Sequence, residues 1–219
     1  MTRTHPGFFV TFEGGDGSGK STQVERLARR LHARGLQPLV TREPGGTPLA
    51  EALRAVVLDP ARGPAPLAEA LLILAARADV VANAIAPALA AGRVVLCDRY
   101  GDSTLAYQGA GRGLDAGRLA EWNRIATGGL VPDLTLLFDV DPELARARRS
   151  GAVGGTNRLD REPPDFHARV RARYLELAAA EPGRFVVLDA GRAPEPLEQE
   201  VWAAVASRLP GPVSAQRGA

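Results

Sequence analysis

Short apolar runs alternate with longer stretches of helical periodicity along the chain. The apolar runs carry hydrophobic residues on both faces, which is typical of strands that are covered on both sides. Strands of this kind, separated by helices, predict an α/β fold with a parallel sheet between two helical layers. The predicted strands are residues 8–12, 39–41, 94–98, 134–140 and 185–189.

Stretches of helical periodicity connect and follow these strands. Gly35 is placed to end the first of them, and Pro87 is expected to kink or divide the third. No internal repeat or long linker interrupts the pattern, so a single domain over residues 1–219 is expected. The predicted helices are residues 20–34, 48–58, 66–92, 114–127, 142–149, 164–180 and 194–209.

Two segments depart from this alternation. The glycine-rich sequence GAVGGTN at 151–157 separates two arginine-rich helices and predicts a mobile loop. Together with its flanks it forms a candidate lid at about 147–162. The C-terminal sequence PGPVSAQRGA, residues 210–219, is expected to be a frayed and flexible tail.

Composition argues against nucleic acid as a partner. The 219 residues carry a formal net charge of +2, acidic and basic residues are interleaved, and 5% of the residues are aromatic. A nucleic-acid-binding protein should show a basic stripe with aromatic residues between the charges. Cys97, the one cysteine, lies in the apolar run VVLC, which indicates core packing in a reducing compartment.

The sequence gives no reason to expect a membrane segment. The first residues, MTRTHPGFF, lack the apolar stretch of a signal peptide. The longest apolar region, 66–91, carries Glu69, Arg77 and Asp79, which a membrane span would tolerate poorly. We therefore expect a cytoplasmic protein.

A phosphate-binding motif follows the first predicted strand. Gly14, Gly19, Lys20 and Ser21 fit the pattern G-x-x-x-x-G-K-[ST], and a strand precedes and a helix follows it, as the motif requires. Glycine lets backbone N–H groups approach phosphate oxygens, and the helix presents its positive end to the anion. Lys20, the only lysine in the chain, is expected to reach the outer phosphates of a nucleotide.

The motif makes the predicted fold more specific. It indicates a P-loop NTPase-type, three-layer α/β/α arrangement around a five-stranded parallel sheet. Mg²⁺ would be bound by Ser21 and by Asp98, which closes the third strand, unless Asp98 only caps that strand. The residues predicted to bind nucleotide phosphates are Gly14, Gly15, Asp16, Gly17, Ser18, Gly19, Lys20, Ser21 and Thr22.

Further short motifs occur in order along the chain, at compatible distances. They are FEGGDGSGKST at 12–22, TREPGGT at 41–47, AAR at 75–77, DRY at 98–100, STLAYQGAGRG at 103–113 and ARVRARYLEL at 168–177.

Together these motifs closely resemble the thymidylate kinase family, over about residues 8–209. Members of that family phosphorylate dTMP with ATP on a five-stranded parallel sheet. The resemblance implies dTMP and ATP as small-molecule substrates, Mg²⁺ as the metal ion and a homodimer as the assembly.

The resemblance also assigns roles around the acceptor phosphate and sugar. Arg99 would hold the phosphate of dTMP, and Asp16 would approach the sugar 3′-hydroxyl. Tyr107 would crowd the 2′ position and so favour a deoxyribose. Glu43 and Pro44 would belong to the loop that closes over the monophosphate.

Base recognition departs from the family in one position. By the resemblance, Arg77 would hydrogen-bond the thymine edge, and Thr104 would face the ring nitrogen with Gln108 nearby. The family usually stacks an aromatic residue on the thymine four positions before this arginine, where the chain has Ile73. An apolar pocket is kept without stacking. On residue type alone, Arg77 could instead be a salt-bridged helix arginine, and Tyr107 a core residue.

The lid would supply the remaining catalytic charge. Some family members carry an arginine where this chain has Gly17, and members without it place catalytic arginines in the lid. Arg158 best matches the lid arginine, and Arg149 and Arg161 are further candidates; a solvated loop with ordinary charges is the alternative. The arriving guanidinium would stabilise the transferring phosphoryl group, while Asp98 helps to organise the metal ion.

Other functions are compatible with a phosphate loop. Another nucleoside monophosphate or deoxynucleoside kinase is an alternative, because Ile73 leaves base recognition open. A GTP-binding switch usually reads guanine with an Asn-Lys-x-Asp motif, which a chain with its only lysine in the phosphate loop cannot contain. A regulatory ATP-binding protein would not need the arginine-rich lid, since binding alone requires no cations for a transition state.

Overall fold

Five parallel strands form one sheet in the computed structural model, which describes residues 5–61, 63–150 and 158–210. The strands are β1 (Phe8–Gly14), β2 (Leu39–Arg42), β3 (Val94–Asp98), β4 (Leu134–Asp139) and β5 (Phe185–Asp189). Their order across the sheet is β2-β3-β1-β4-β5, so β1 is central and all carboxyl ends lie at one edge. The predicted α/β fold with a five-stranded parallel sheet is confirmed.

Every predicted helix is present, with ends that differ by a few residues. The proposed mobile loop at 151–157 and the tail from 211 onward lie outside the described residues. The helices are α1 (Lys20–His32), α2 (Pro48–Leu58), α3 (Pro66–Val80), α4 (Ala86–Ala90), α5 (Gly101–Thr104), α6 (Ala116–Thr127), α7 (Pro142–Ser150), α8 (Pro164–Ala180) and α9 (Pro194–Ala206).

The central strand shows why its apolar pattern is unbroken. Successive side chains of a strand point to opposite faces of the sheet. Phe8, Val10 and Phe12 therefore pack with α1 and α9 on one face, while Phe9 packs with α3 and α4 on the other. Glu13 follows on the same side as Phe9 and is fully buried, so β1 ends this face with a carboxyl group close to the phosphate loop.

The helical run Pro66–Ala90 joins α3 to α4 through a π-helical turn at Val81–Ile85. Pro87, predicted as a kink or boundary, lies in the first turn of α4, directly after this turn. Within the described residues it is the one helix long and apolar enough to cross a membrane, with a mean hydropathy of 1.6. Its buried residues pack against β1 and β3, as those of a core helix do.

The segment after β3 contains structure that the sequence did not predict. α5 continues into a π-helical turn at Leu105–Gly111, although glycine-rich sequences are poor helix formers. Gly111 is needed there because a Cβ would lie 2.5 Å from a ring carbon of Phe166 on α8. This close packing presents Thr104 and Tyr107 at the carboxyl edge of the sheet.

Candidate active site

The phosphate loop joins β1 to α1, and its backbone requires glycine. Gly14, Gly17 and Gly19 have φ angles of 134°, 83° and 87°. A Cβ on Gly14 would lie 2.4 Å from the carbonyl oxygen of Phe138. α1 begins directly after Gly19, and no side chain caps its first turn. The backbone N–H groups of this turn are therefore available to an anion.

Lys20 folds back over the loop that precedes it. Its ammonium donates to the carbonyl oxygens of Gly14 (3.1 Å) and Gly15 (2.8 Å) and to the hydroxyl of Ser18 (3.3 Å). Burial lowers the pKa of Lys20 to about 8, and the charge of Arg99 acts in the same direction. A bound phosphate would offset both effects, so the loop has the electrostatics of an anion site.

Ser21 and Asp98 meet where β3 ends beside the start of α1. The Ser21 hydroxyl donates to Oδ2 of Asp98 at 2.7 Å. Hydroxyl and carboxylate oxygens suit Mg²⁺, which usually takes one or two protein ligands together with substrate phosphates. In the described ranges, no group of three or more His, Cys, Asp or Glu side chains could hold a metal ion. The donor set thus fits a metal ion bound mainly through nucleotide phosphates.

Arg99 follows β3 in a backbone conformation that favours glycine. Its φ of 73° is the only positive φ at a non-glycine residue in the described chain. The guanidinium donates to the hydroxyls of Ser103 and Tyr174 (3.2 Å each), to Oδ1 of Asp16 (2.9 Å) and to the hydroxyl of Tyr107 (3.0 Å). These bonds hold the side chain in one orientation despite the strained backbone.

Asp16 connects the phosphate loop to this cluster. Its Oδ2 accepts a hydrogen bond from the Tyr107 hydroxyl at 3.2 Å. Burial would raise the pKa of Asp16, but the charges of Arg99, Lys20 and Arg149 outweigh it and hold this pKa well below its usual range. Asp16 is therefore an ionised hydrogen-bond acceptor between the loop and Tyr107.

A buried carboxyl group lies behind Arg99. Oε2 of Glu13 accepts from the hydroxyls of Ser103 (2.6 Å) and Tyr174 (2.8 Å), the same two hydroxyls that Arg99 contacts. Burial raises the pKa of Glu13 to about 7. Glu13 thus supports the arginine through two shared hydroxyl groups.

Arg77 is 1% exposed and makes the ion pair that residue type alone suggested. Nε donates to Glu43 (2.6 Å), Nη1 to Thr104 (2.8 Å) and Asn123, and Nη2 to the carbonyl oxygen of Tyr100 (3.0 Å). A guanidinium has five N–H donors. Four have partners in the described residues, which leaves one on Nη2 for a ligand.

The structure brings every residue predicted to bind the acceptor into one cavity, which we call the acceptor pocket. Its empty space, including solvent at its mouth, amounts to about 540 Å³. Arg54, Leu58, Ser103 and Leu159 also line it. The predicted residues are Asp16, Glu43, Pro44, Ile73, Arg77, Arg99, Thr104, Tyr107 and Gln108.

A second cavity, the phosphate cleft, runs along the phosphate loop and contacts Asp98 and Arg149. Gly14 and Gly15 line instead a neighbouring cavity bordered by α7 and α8, and Ser18 is buried beneath Lys20. The predicted loop residues that line the phosphate cleft are Asp16, Gly17, Gly19, Lys20, Ser21 and Thr22. The acceptor pocket and the phosphate cleft share Asp16, Glu43, Arg54 and Arg99.

Arg54, which the sequence reasoning missed, lies at this shared boundary. Its Nη1 donates to the carbonyl oxygen of Pro44 at 2.8 Å. Burial lowers the pKa of Arg54, and the charge of Arg42 adds to that effect. Glu43 is also buried, and its Oε1 has no hydrogen-bond partner in the described residues. The boundary therefore contains a cation, and beside it a buried carboxylate oxygen without a hydrogen-bond partner among the described residues.

The candidate lid arginines occupy different places. A Cβ on Gly17 would lie 2.3 Å from the carbonyl oxygen of Ala145 and 2.9 Å from Cγ of Arg149. The loop thus has no room for a side chain at Gly17, and Arg149 lies against it instead. Arg158 binds Glu69 beside the acceptor pocket, and Arg161 is exposed. The structure therefore puts Arg149, and not Arg158, next to the phosphate loop.

The sequence contained a signal for some of the site residues that its analysis missed, but not for others. Glu13, Ser103 and Tyr174 lie inside the motifs, but their type and spacing predict no contact with Arg99. Arg54 and Glu69 are charged residues in apolar helical stretches, and a buried charge requires a partner.

Comparisons with known proteins agree with this geometry. The family model described as thymidylate kinase matches residues 12–201. A thymidylate kinase of Deinococcus radiodurans is 53% identical, over 92% of this chain and 98% of its own. Another from Thermomicrobium roseum is 55% identical, over 90% and 94%. The crystal structure of thymidylate kinase from Ehrlichia chaffeensis superposes with a TM-score of 0.73 at 32% identity, over 91% and 98%. The chain belongs to the thymidylate kinase family.

Proposed function

We propose that this protein transfers the γ-phosphoryl group of ATP to the 5′-phosphate of dTMP, giving dTDP and ADP. The acceptor pocket would bind dTMP, and the phosphate cleft would bind the phosphates of ATP. The observation that carries this assignment is the boundary of Asp16, Glu43, Arg54 and Arg99, which both cavities share. Two substrates bound on either side of it would meet there.

Positioning and charge stabilisation would do most of the catalytic work. The attacking group of dTMP is already an anion, so no strong general base is needed. Two anions must approach each other, which requires fixed cations between them. Arg99 and Arg54 would hold the acceptor phosphate, because planar guanidinium groups bind phosphate oxygens in pairs. Lys20 would hold the outer phosphates of ATP inside the narrow loop.

Ser21 and Asp98 are the side chains that would hold Mg²⁺, which neutralises phosphate charge when it is bound. Arg149 is the lid arginine nearest to the phosphate loop, and it would stabilise charge on the transferring group. Arg158 would have to leave Glu69 before it could serve the same role.

Sugar and base recognition would follow from the remaining contacts. Asp16 would accept from the 3′-hydroxyl, while the ring of Tyr107 would exclude a 2′-hydroxyl. Arg77 and Thr104 would bind the thymine edge, over the aliphatic side chain of Ile73. We further propose a single-domain cytoplasmic homodimer with a lid at about 147–162 and without nucleic-acid or membrane partners.

A panel of acceptors tests the assignment. ADP release is measured with ATP, Mg²⁺ and each of dTMP, dUMP, UMP, CMP and AMP. The highest kcat/KM is expected for dTMP. A higher value for another acceptor would support the alternative of a different nucleoside monophosphate kinase. ADP release that does not depend on any acceptor would contradict the proposed reaction.

A further inference from the structure

A buried carboxylate lies beside the acceptor pocket and has no role so far. Glu69, on α3, is 0% exposed. Its Oε2 accepts from Nη2 of Arg112 at 3.2 Å and from Nη2 of Arg158. Its Oε1 accepts from Nε2 of Gln108 at 2.7 Å. A buried charge requires such partners, and two arginines supply the opposite charge.

These contacts fix the orientation of the side-chain amide of Gln108. A carboxylate only accepts hydrogen bonds, whereas a primary amide has one donating and one accepting end. Because Glu69 accepts, Gln108 must turn its NH₂ group toward it and its Oε1 away from it. This Oε1 has no hydrogen-bond partner among the described residues. Gln108 is 2% exposed and lines the acceptor pocket, and with Nε2 bound to Glu69 its Oε1 is the polar atom left for a ligand there.

The neighbouring side chains offer the opposite kind of group. Arg77 keeps one N–H donor on Nη2. The Thr104 hydroxyl already accepts from Arg77 at 2.8 Å, so its own hydrogen is available for donation. Together with Gln108, these two side chains therefore present two donors and one acceptor. Thymine carries the complement of this set, with two carbonyl oxygens flanking N3–H, whereas cytosine has a lone pair at N3 and an NH₂ group at C4.

We propose that Glu69 is a positioning residue for base recognition: it fixes Gln108 with its Oε1 toward the pocket, where this oxygen accepts from N3–H of thymine. The proposal rests on the proposed binding of dTMP in this pocket. Without Glu69 the Gln108 amide can turn over and present NH₂ to N3 of cytosine. The protein then loses part of its preference for thymine over cytosine, although no residue that touches the base has changed.

Two substitutions at Glu69 separate orientation from charge. In Glu69→Leu, Gln108 has no fixed acceptor, and the ratio of kcat/KM for dTMP to that for dCMP should fall by about tenfold, as expected for one hydrogen bond. The change should come mainly from a higher KM for dTMP, because binding to the ground state is lost. Glu69→Gln keeps an oxygen acceptor for Gln108 while removing the charge, so most of the preference should be retained. An equal loss in both variants would overturn the proposal.

A double-substitution cycle tests whether Glu69 acts through Gln108. Adding Glu69→Leu to Gln108→Leu should leave the dTMP/dCMP ratio unchanged, because there is no amide left to orient. A further fall in that background would overturn the proposal. Arg112→Gln, which weakens the ion pair but keeps the bond between Glu69 and Gln108, should retain the wild-type ratio.

Folding and the proposed function have separate readouts. Thermal melting reports whether Glu69→Leu folds. If this variant does not fold, the double variant Glu69→Leu/Arg112→Leu takes its place in the comparison, because it also removes one of the arginine charges that lose Glu69 as a partner. A wild-type protein that does not prefer dTMP would contradict the proposed function itself. A wild-type preference that survives in a folded Glu69→Leu protein would contradict only the role of Glu69.

Discussion

The hydroxyl of Ser21 donates a 2.7 Å hydrogen bond to Oδ2 of Asp98, although the two residues are 77 positions apart in the chain. They meet because β1 and β3 are adjacent parallel strands whose carboxyl ends share one edge of the sheet. The pair contributes a hydroxyl and a carboxylate group at the mouth of the phosphate loop.

Replacing Asp98 by Asn should raise the Mg²⁺ concentration needed for half-maximal activity by at least about tenfold, since a neutral amide is a poorer ligand for a hard cation. A Mg²⁺ titration of the initial rate at saturating ATP and dTMP measures this. The matched control is Asp115→Asn, the same chemical change at an exposed helix cap, where Asn is an equally good cap. An unchanged Mg²⁺ requirement in Asp98→Asn would rule out the metal role.

Lys20→Arg should fold but lose most of its activity. The ammonium already lies 2.8–3.1 Å from two loop carbonyl oxygens, and a planar guanidinium is too large for that space. Thermal melting and steady-state ADP release measure the two effects. Near-normal turnover would show that the loop does not require a compact cation.

MgATP should protect Lys20 from amine-selective reagents. Since Lys20 is the only lysine, the reagent can modify only its side chain and the N-terminal amine. Arg34→Lys introduces an exposed amine just after the end of α1 as an internal control, which should be labelled equally with and without MgATP. Mass spectrometry of the labelled peptides gives both rates. Equal labelling of Lys20 in the two conditions would mean that the loop does not enclose phosphate.

Arg54→Gln should raise the KM for dTMP by about tenfold or more and change the KM for ATP much less. The guanidinium lies at the boundary of the two cavities, beside Arg99, where the acceptor phosphate would bind, and a charge-assisted bond contributes about 1.5–3 kcal/mol. Arg118→Gln, at an exposed position of α6, is the control and should leave both constants unchanged. A larger rise in the KM for ATP than in the KM for dTMP would mean that Arg54 acts at the donor site instead.

The fold was predictable because its signals are local. Apolar runs identified the five strands, and helical periodicity identified the helices between them. The helix at 101–111 was missed because its stability comes from packing of Gly111 against Phe166, a contact that no local pattern contains. The phosphate loop was predictable for the same reason as the strands, since all its residues are consecutive.

The rest of the site depends on distant contacts. The hydroxyls that connect Glu13 to Arg99 come from α5 and α8, and only the folded chain brings them together. Sequence similarity favoured Arg158 as the catalytic lid arginine, but packing of α7 on Gly17 puts Arg149 at the loop. The catalytic roles of both arginines stay predictions.

Glu13 should make the protein less stable as the pH rises. Burial raises its pKa from the ordinary value of 4.5 to about 7, so between these values the folded state keeps a proton that the unfolded state has released. The unfolded state therefore binds fewer protons, and the free energy of unfolding falls as pH increases through this window. Glu13→Gln cannot titrate and should show a shallower decline between pH 4.5 and 7.

Urea denaturation at several pH values across this window measures the slope in both proteins. Glu121→Gln, on the exposed side of α6, is the matched control and should keep the wild-type slope. A kinetic assay distinguishes positioning from stability: the KM for dTMP at pH 8 should rise in Glu13→Gln, because Arg99 loses its fixed support. An identical pH slope in wild type and Glu13→Gln would mean that Glu13 is ionised throughout the window and that its burial is compensated by the hydroxyls around it.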